Sequence, residues 1–315
     1  VARKFGAEYD WDKETLVTGG VSEAIDIALR TVINPGDEVI YHEPCFVSYR
    51  PTIIMAGGVP VCVETRREDQ FRLTRAMLEK AVTKKTRVLM LNFPCNPTGA
   101  VLGRKDVEDI SDFCKKHDLL LLTDEIYAEL TYDSKHVSFV SVPGMKERTI
   151  FLHGMSKAWA MTGFRIGYAC APAEISENMM KLHQYAIMSA PTTGQKAAAE
   201  ALERGDAAVA GMVAEYNRRR NYLIAAFAEM GVSCHTPAGA FYAFPYIGDL
   251  GISAEDFAMR FLEEKGVAVV PGDAFGKCGA GFLRCAYATS MDNIREGMKR
   301  MGEFVAEIRA EKKKK

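Results

Sequence analysis

Residues 18–43 read TGGVSEAIDIALRTVINPGDEVIYHE and contain one full alternation of secondary-structure signals. Apolar residues recur at three- and four-residue intervals, which places them on one face of an α-helix; they are Val21, Ala24, Ile25, Ala28, Leu29 and Val32. The sequence Asn34-Pro35-Gly36-Asp37 is a turn signal, and residues 38–41 are typical of a β-strand. The stretch therefore predicts a helix, a break and a strand in close succession.

The same alternation continues on the C-terminal side of this stretch. Short apolar runs predict further strands at residues 59–64, 87–92, 119–123 and 149–153. Runs of this kind, without polar alternation, are typical of parallel strands that helices cover on both faces. The pattern predicts an α/β fold with a large, doubly wound and mostly parallel sheet.

The pattern of helix and strand signals changes after Ser189. Residues 195–230 are rich in helix signals, and a mixture of shorter strand and helix signals follows through Tyr287. Residues 290–309 carry apolar side chains at helical spacing, which predicts a closing amphipathic helix. We therefore expect a large domain over residues 1–205 and a smaller α+β domain over residues 206–315.

Composition restricts the function classes. The 315 residues are 48% hydrophobic and 26% charged with a net charge of −1, which argues for a globular chain with a small-molecule partner and against nucleic acid. No apolar run approaches the roughly 20 residues that cross a bilayer. Eight cysteines without a C-x-x-C pair favour a reducing, cytoplasmic setting. The six histidines show no metal-ligand spacing, so we expect no metal site.

Two fragments carry chemical signals near the predicted sheet. Asp124 follows the apolar run 119–123, at the carboxyl end of a predicted strand, where α/β folds bind ligands. Lys157 lies among Met155, Ala158 and Trp159, and such apolar neighbours favour the neutral amine that forms an imine. Taken alone, the aspartate is also compatible with a turn cap, and the lysine with an ordinary surface residue.

A third group of residues predicts an anion site. Gly19-Gly20-Val21-Ser22 opens the first predicted helix, so free backbone N–H groups and the positive helix end would face a bound anion. Ser156 could contribute a hydroxyl, and Arg165 a bidentate guanidinium. A glycine turn before a helix is weak support by itself, and the combination is more specific.

Two further motifs accompany these fragments: Asn96-Pro97-Thr98-Gly99, and Arg284 in Gly281-Phe-Leu-Arg284. The order of all these motifs along the chain is itself a signal of family membership. The chain resembles the class I and II aminotransferases, which are pyridoxal 5′-phosphate (PLP) enzymes of fold type I. The resemblance covers nearly the whole chain. Members carry an additional leading segment, so the N-terminal part of the large domain looks incomplete.

The resemblance implies a role for each candidate residue. It implies that Lys157 binds the cofactor aldehyde and then moves a proton, and that Asp124 keeps the pyridine nitrogen protonated. It also implies that Tyr127 and Asn96 contact the ring oxygen and that Arg284 grips the substrate α-carboxylate, with Asn96 beside it. The remaining cofactor contacts implied are Gly20, Val21, Ser22, Phe46, Ser156 and Arg165, although a core aromatic is an equally good interpretation of Phe46.

Reaction and substrate follow as expectations from the same resemblance. It implies a ping-pong transfer of the amino group of an L-amino acid to a 2-oxo acid such as 2-oxoglutarate, in a homodimer. Some members that act on dicarboxylic amino acids have a lysine near the position of Ser22, and this chain has none. The sequence around Phe46 and Asn96 is more similar to that of archaeal aromatic aminotransferases. The resemblance therefore favours aromatic or neutral amino acids as amino donors.

Alternative functions remain open at this point. Aspartate transamination is one, and a PLP-dependent C–S lyase or decarboxylase is another, because the same cofactor residues serve several bond cleavages. A different alternative is a non-catalytic domain that senses a small molecule within a transcription regulator. Such a regulator joins this domain to a DNA-binding module, and no basic segment of that kind precedes the α/β pattern in this sequence. A dehydrogenase is disfavoured because no G-x-G-x-x-G follows an early strand.

Overall fold

The computed structural model describes residues 1–314, which form ten α-helices and twelve β-strands besides short 3₁₀ turns. The helices are α1 (Ala2–Phe5), α2 (Val21–Val32), α3 (Tyr49–Met55), α4 (Arg75–Glu79), α5 (Arg104–Lys116), α6 (Ala173–Ala186), α7 (Thr192–Arg204), α8 (Asp206–Glu229), α9 (Ala254–Lys265) and α10 (Met291–Lys314). The strands are β1 (Thr15–Thr18), β2 (Glu38–Glu43), β3 (Val59–Glu64), β4 (Thr86–Asn92), β5 (Leu120–Asp124), β6 (Thr149–Gly154), β7 (Gly167–Cys170), β8 (Ser233–Cys234), β9 (Tyr242–Ala243), β10 (Pro245–Tyr246), β11 (Val270–Pro271) and β12 (Leu283–Ala286).

Seven of these strands form one sheet in the order β1-β7-β6-β5-β4-β2-β3. Strands β2 to β6 pair in parallel, whereas β7 pairs antiparallel with both β6 and β1. This arrangement confirms the predicted mostly parallel α/β sheet. The antiparallel strand β7 was not predicted, because its sequence Gly-Tyr-Ala-Cys has only four residues and no distinctive pattern.

Burial varies across the sheet in a way that the sequence did not show. The central strands β4, β5 and β6 are almost entirely buried, as expected for strands covered on both faces. Strand β3 is largely exposed because it is the edge strand, so the expectation of cover on both faces was wrong for residues 59–64. An apolar run therefore indicated a strand but not its place in the sheet.

Helix α2 has the bounds that its periodicity predicts, and it packs against the sheet and against α6. Ile25 and Leu29 on its inner face are fully buried, and burial of each such side chain contributes about 1.5–3 kcal/mol. The helix begins at Val21 with Gly20 as its N-cap residue. Packing of this face therefore fixes the position of the helix N-terminus relative to the sheet.

The parallel order brings chemically useful residues to one edge of the sheet. Asn92 ends β4 and Asp124 ends β5, and the two residues are paired in the register of these strands. Strand β6 ends at Gly154, three residues before Lys157. Because the carboxyl ends of parallel strands meet at the same edge, these positions surround one crevice.

The C-terminal part of the chain follows the long helix α8. It contains a three-stranded antiparallel sheet, β11-β12-β9, and the helices α9 and α10. Helix α10 confirms the predicted closing helix, with Ile294, Met298, Met301 and Val305 buried on one face. The predicted domain boundary after residue 205 falls at the junction of α7 and α8 and stays a prediction.

Lys315 lies outside the described residues, and within residues 1–314 no helix combines the length and apolarity needed to cross a membrane.

Candidate active site

A cavity of about 310 Å³ lies at the carboxyl edge of the sheet. Ten of the predicted site residues line it: Val21, Ser22, Phe46, Asn96, Asp124, Tyr127, Ser156, Lys157, Arg165 and Arg284. Gly20, the remaining one, precedes Val21 and contacts the Arg165 guanidinium. Residues from both the sheet region and the C-terminal part of the chain thus converge on one space.

Asp124 presents a carboxylate to this cavity although it is only 5% exposed. The Tyr49 hydroxyl donates to Oδ2 at 2.7 Å, and the Ile126 backbone N–H donates to Oδ1 at 3.1 Å. Burial raises the pKa of Asp124, and these two hydrogen bonds oppose the rise only in part. Among the described residues no cation forms an ion pair with it, so a bound cationic group would relieve a costly arrangement.

Lys157 lies in the turn that follows β6 and is half-buried. Burial lowers the pKa of its amine, and the charges of Arg165 and Arg284 lower it further, whereas Asp124 has the opposite effect. No hydrogen bond or ion pair of the amine occurs within the described part of the chain. A partly desolvated amine without a partner is well suited to attack an aldehyde.

Arg165 lies beside the N-terminus of α2, which is the arrangement that the predicted anion site requires. Arg165 donates through Nη1 to the Thr162 carbonyl at 3.1 Å and through Nη2 to the Gly19 carbonyl at 3.2 Å. Gly20 has a φ of +95°, and a side chain there would occupy the space of the guanidinium. No carboxylate pairs with Arg165 in residues 1–314, so the helix end and the guanidinium remain available to an anion.

Arg284 is held by aromatic rings rather than by an acid. Its Cζ lies 4.7 Å from the centre of the Tyr242 ring and 4.8 Å from that of Phe275. Nη1 donates to Asn96 Oδ1 at 3.1 Å, and the buried Nε has no hydrogen-bond partner in the described structure. A guanidinium with an unused buried donor is prepared for a carboxylate ligand.

Four polar residues of this cavity were not predicted as site residues: Tyr49, Asn92, Thr162 and Tyr242. Tyr242 shares a hydrogen bond with Tyr127, their hydroxyl oxygens being 3.0 Å apart. Asn92 donates to the Asp124 carbonyl at 2.9 Å and accepts from the Asn96 backbone N–H at 3.0 Å. A signal existed only for Asn92, which ends a predicted strand beside the strand of Asp124.

Tyr49 offers a testable consequence of this geometry. We expect Tyr49→Phe to lower kcat about tenfold, the effect of one lost hydrogen bond to a carboxylate. Because the Tyr49 hydroxyl lowers the pKa of Asp124, its removal should raise that pKa and move the acid limb of the pH–kcat profile to higher pH. Steady-state kinetics across pH would measure both, with the exposed Tyr222→Phe as control. An unchanged acid limb would contradict the prediction.

Comparison with known proteins shows which family the chain belongs to. The sequence profile of the family "Aminotransferase class I and II" matches residues 1–301. The chain belongs to this family. It is therefore an aminotransferase, a transferase of amino groups, and members of the family act with PLP on amino acids and oxo acids and are commonly dimeric.

The similar proteins include both aspartate and aromatic aminotransferases. The aspartate aminotransferase of Pyrococcus abyssi is 46% identical over 95% of this chain and 78% of its own length. The aromatic-amino-acid aminotransferase 2 of Thermococcus litoralis is 45% identical over 98% of this chain and 81% of its own. The crystal structure of the aromatic aminotransferase from Pyrococcus horikoshii superposes with a TM-score of 0.95 at 45% identity, covering 97% of this chain and 82% of that one.

Proposed function

We propose that this aminotransferase binds PLP in the cavity and moves the amino group of an L-amino acid to a 2-oxo acid by a ping-pong mechanism. We further propose that aromatic or neutral amino acids are the favoured donors and that 2-oxoglutarate is an acceptor. The cofactor contacts that we assign are Gly20, Val21, Ser22, Phe46, Asn96, Asp124, Tyr127, Ser156, Lys157 and Arg165.

One observation carries the proposal: the cavity holds three charged groups that form no ion pair among residues 1–314. Asp124 is buried and accepts hydrogen bonds only from neutral donors, Arg165 stands at a helix N-terminus and donates only to backbone carbonyls, and the Lys157 amine makes no hydrogen bond in this part of the chain. PLP offers a pyridinium nitrogen, a phosphate and an aldehyde, so its three ends fit these three groups by chemistry. The cavity residues therefore fit the cofactor that the family uses.

The chain's own residues then have distinct tasks. When bound, PLP supplies an aldehyde that accepts the amino group and a protonated ring that withdraws electrons from the substrate. Asp124 holds the proton of the ring nitrogen, and Tyr49 and the Ile126 N–H keep its carboxylate oriented. Lys157 Nζ would carry a proton from the substrate Cα to the former aldehyde carbon of the cofactor in the first half-reaction, and in the reverse direction in the second. Tyr127 and Asn96 line the same cavity, and we assign to them hydrogen bonds to a ring oxygen.

Substrate selection rests on the end of the cavity near Arg284. We assign the α-carboxylate to Arg284, and the aromatic side chain of Tyr242, whose ring centre lies 4.7 Å from Cζ of Arg284, lines this end of the cavity. Rings and aliphatic groups pack well against such walls, whereas Ser22 provides no cation for a second carboxylate. This favours aromatic or neutral donors over aspartate, although relatives of both kinds match the chain.

Assembly and location are also part of the proposal. The C-terminal end of α6 exposes large apolar side chains, with Tyr185 90% and Met188 81% exposed. A second copy of the chain would cover them, and we propose a homodimer, to be measured by sedimentation equilibrium. The eight free thiols favour a reducing compartment, and we place the enzyme in the cytoplasm on that ground.

Visible absorption spectroscopy and product analysis test the function together. Purified protein is mixed with PLP and then with phenylalanine or aspartate. We expect an absorption band of lysine-bound cofactor, its conversion by the amino acid, and release of the matching 2-oxo acid with phenylalanine preferred. Release of ammonia or carbon dioxide instead would support a lyase or a decarboxylase. Faster conversion by aspartate would overturn the substrate assignment.

Arg284 provides a direct test of carboxylate binding. We expect Arg284→Gln to raise KM for the amino acid about 100-fold, because a charge-assisted pair is lost, with little change in the band of bound cofactor. The matched control is Arg295→Gln, which changes an exposed arginine that forms a surface ion pair with Asp292. Steady-state kinetics decide the outcome, and a KM within twofold of the wild type would exclude Arg284 as the ligand.

A further inference from the structure

A buried carboxylate outside the cavity joins two distant segments of the chain. Glu43, the last residue of β2, is 8% exposed. Its Oε1 accepts a hydrogen bond of 2.6 Å from the Tyr41 hydroxyl. Its Oε2 accepts one of 3.0 Å from the backbone N–H of Lys277, which lies 234 residues later in the chain. Glu43 thus ties the large sheet to a loop of the C-terminal part.

This loop, residues 275–277, which we call the strap, has a second tie to the same strand end. The Cys45 backbone N–H donates to the Phe275 carbonyl at 3.0 Å. Gly276 lies between the two ties with a φ of +123°, and the Glu43 carboxylate occupies the space into which a side chain at Gly276 would project. The contact therefore requires glycine at this position both for its backbone and for its size.

The strap reaches the cavity through the side chain of Phe275. This ring is 3% exposed, and its centre lies 4.8 Å from Cζ of Arg284. Together with the Tyr242 ring it fixes the plane of the guanidinium by cation–π contact. A displacement of the strap would therefore change the direction in which Arg284 presents its free donors.

We propose that Glu43 is a positioning residue for substrate binding: it holds the strap so that Phe275 keeps Arg284 oriented toward the substrate carboxylate. Glu43 is outside the cavity lining and acts through Phe275. The proposal rests on the proposed function, because that function assigns the carboxylate to Arg284. It adds a residue from β2 that neither the cofactor nor the substrate touches.

The test compares Glu43→Ala with Glu64→Ala in the PLP-loaded enzyme. Glu64 is a suitable control because it is paired with Glu43 in the register of β2 and β3 but is exposed, and its side chain makes no hydrogen bond within residues 1–314. The measurements are KM and kcat for phenylalanine, the Kd of 3-phenylpropanoate, and the absorption band of bound cofactor. 3-Phenylpropanoate has the carboxylate but no amino group, so its Kd reports binding without reaction.

We expect Glu43→Ala to raise KM and the 3-phenylpropanoate Kd about tenfold, the effect of one lost hydrogen bond to a charged acceptor. The cofactor band should stay and kcat should change less than about threefold, because the cofactor contacts remain. Gly276→Ala should have the same signature, since its methyl group would push the strap and the Glu43 carboxylate apart while the glutamate itself is retained. In a Phe275→Leu background Glu43→Ala should add little, which shows coupling through the ring.

Contrary results are distinct from failure of the proposed function. Wild-type KM and Kd in both Glu43→Ala and Gly276→Ala would overturn the positioning role. So would loss of the cofactor band in both variants, since that indicates a general structural role, and so would additive effects with Phe275→Leu. If the wild type fails to transaminate, the proposed function fails, and the 3-phenylpropanoate Kd values still decide whether Glu43 orients Arg284.

Discussion

Lys157→Ala is expected to abolish transamination, with a loss of at least about 10⁴-fold in kcat, because one amine both binds the cofactor and transfers the proton. Burial lowers the pKa of this amine, so its neutral fraction at a given pH is larger than that of an exposed lysine. An alanine supplies neither the nucleophile nor the base. The measurement is single-turnover conversion of phenylalanine by the PLP-loaded protein, followed by absorbance.

Two controls separate chemistry from folding in that experiment. Lys196→Ala removes an exposed lysine and should leave the rate unchanged. Lys157→Arg keeps the positive charge but provides no amine for the aldehyde, and it should be as inactive as Lys157→Ala. A Lys157→Ala variant with a rate within about tenfold of the wild type would show that another group transfers the proton.

The fold was largely predictable because its sheet leaves a simple mark on the sequence. Buried parallel strands appear as short apolar runs, and the face of α2 appears as a helical repeat, so local patterns located β4, β5, β6 and α2. Neighbour order in the sheet is a non-local property. The antiparallel pairing of β7 with β1 and β6, and the edge position of β3, therefore could not be predicted from local patterns.

The candidate site was predictable to the extent that residues belong to motifs. Asp124 and Lys157 stand in recognisable contexts, and the structure brings them to one cavity. Tyr49, Tyr242 and Phe275 carry no such context, since aromatic residues in ordinary core patterns look the same as those that orient a charged group. Their roles depend on contacts between segments that are far apart in sequence, such as the Tyr49 hydroxyl on Asp124.

Asp124→Asn is expected to lower kcat about 10³-fold, the size of effect seen when a group that stabilises charge in the transition state is removed. An amide cannot hold the ring nitrogen in its protonated form, so the ring would accept electrons poorly. The amide keeps the shape of the carboxylate and can still contact Tyr49 and the Ile126 N–H. The cavity should therefore stay intact, and absorption of bound PLP should remain measurable.

Although Asp124→Asn should lower kcat, it should raise the thermal stability of the PLP-free protein. Burial raises the pKa of Asp124 in the folded protein, so the folded state binds a proton more tightly than the unfolded chain. The contribution of Asp124 to the stability of the PLP-free wild type must then fall as pH rises from the unfolded-state pKa, about 3.9, through the folded pKa. Asn carries no charge, so PLP-free Asp124→Asn should melt above the wild type at neutral pH, and the difference should vanish in acid.

Adding PLP should reverse that order, because only the carboxylate gains from a cationic ring. Thermal unfolding with and without PLP at several pH values gives the comparison. Asp118→Asn, an exposed aspartate that precedes the same strand, should shift neither curve by more than the small effect of a surface ion pair. A PLP-free Asp124→Asn protein less stable than the wild type at neutral pH would mean that Asp124 serves the fold. A more stable but inactive one would mean that the buried charge is kept for the cofactor, at a cost to folding that the bound ring offsets.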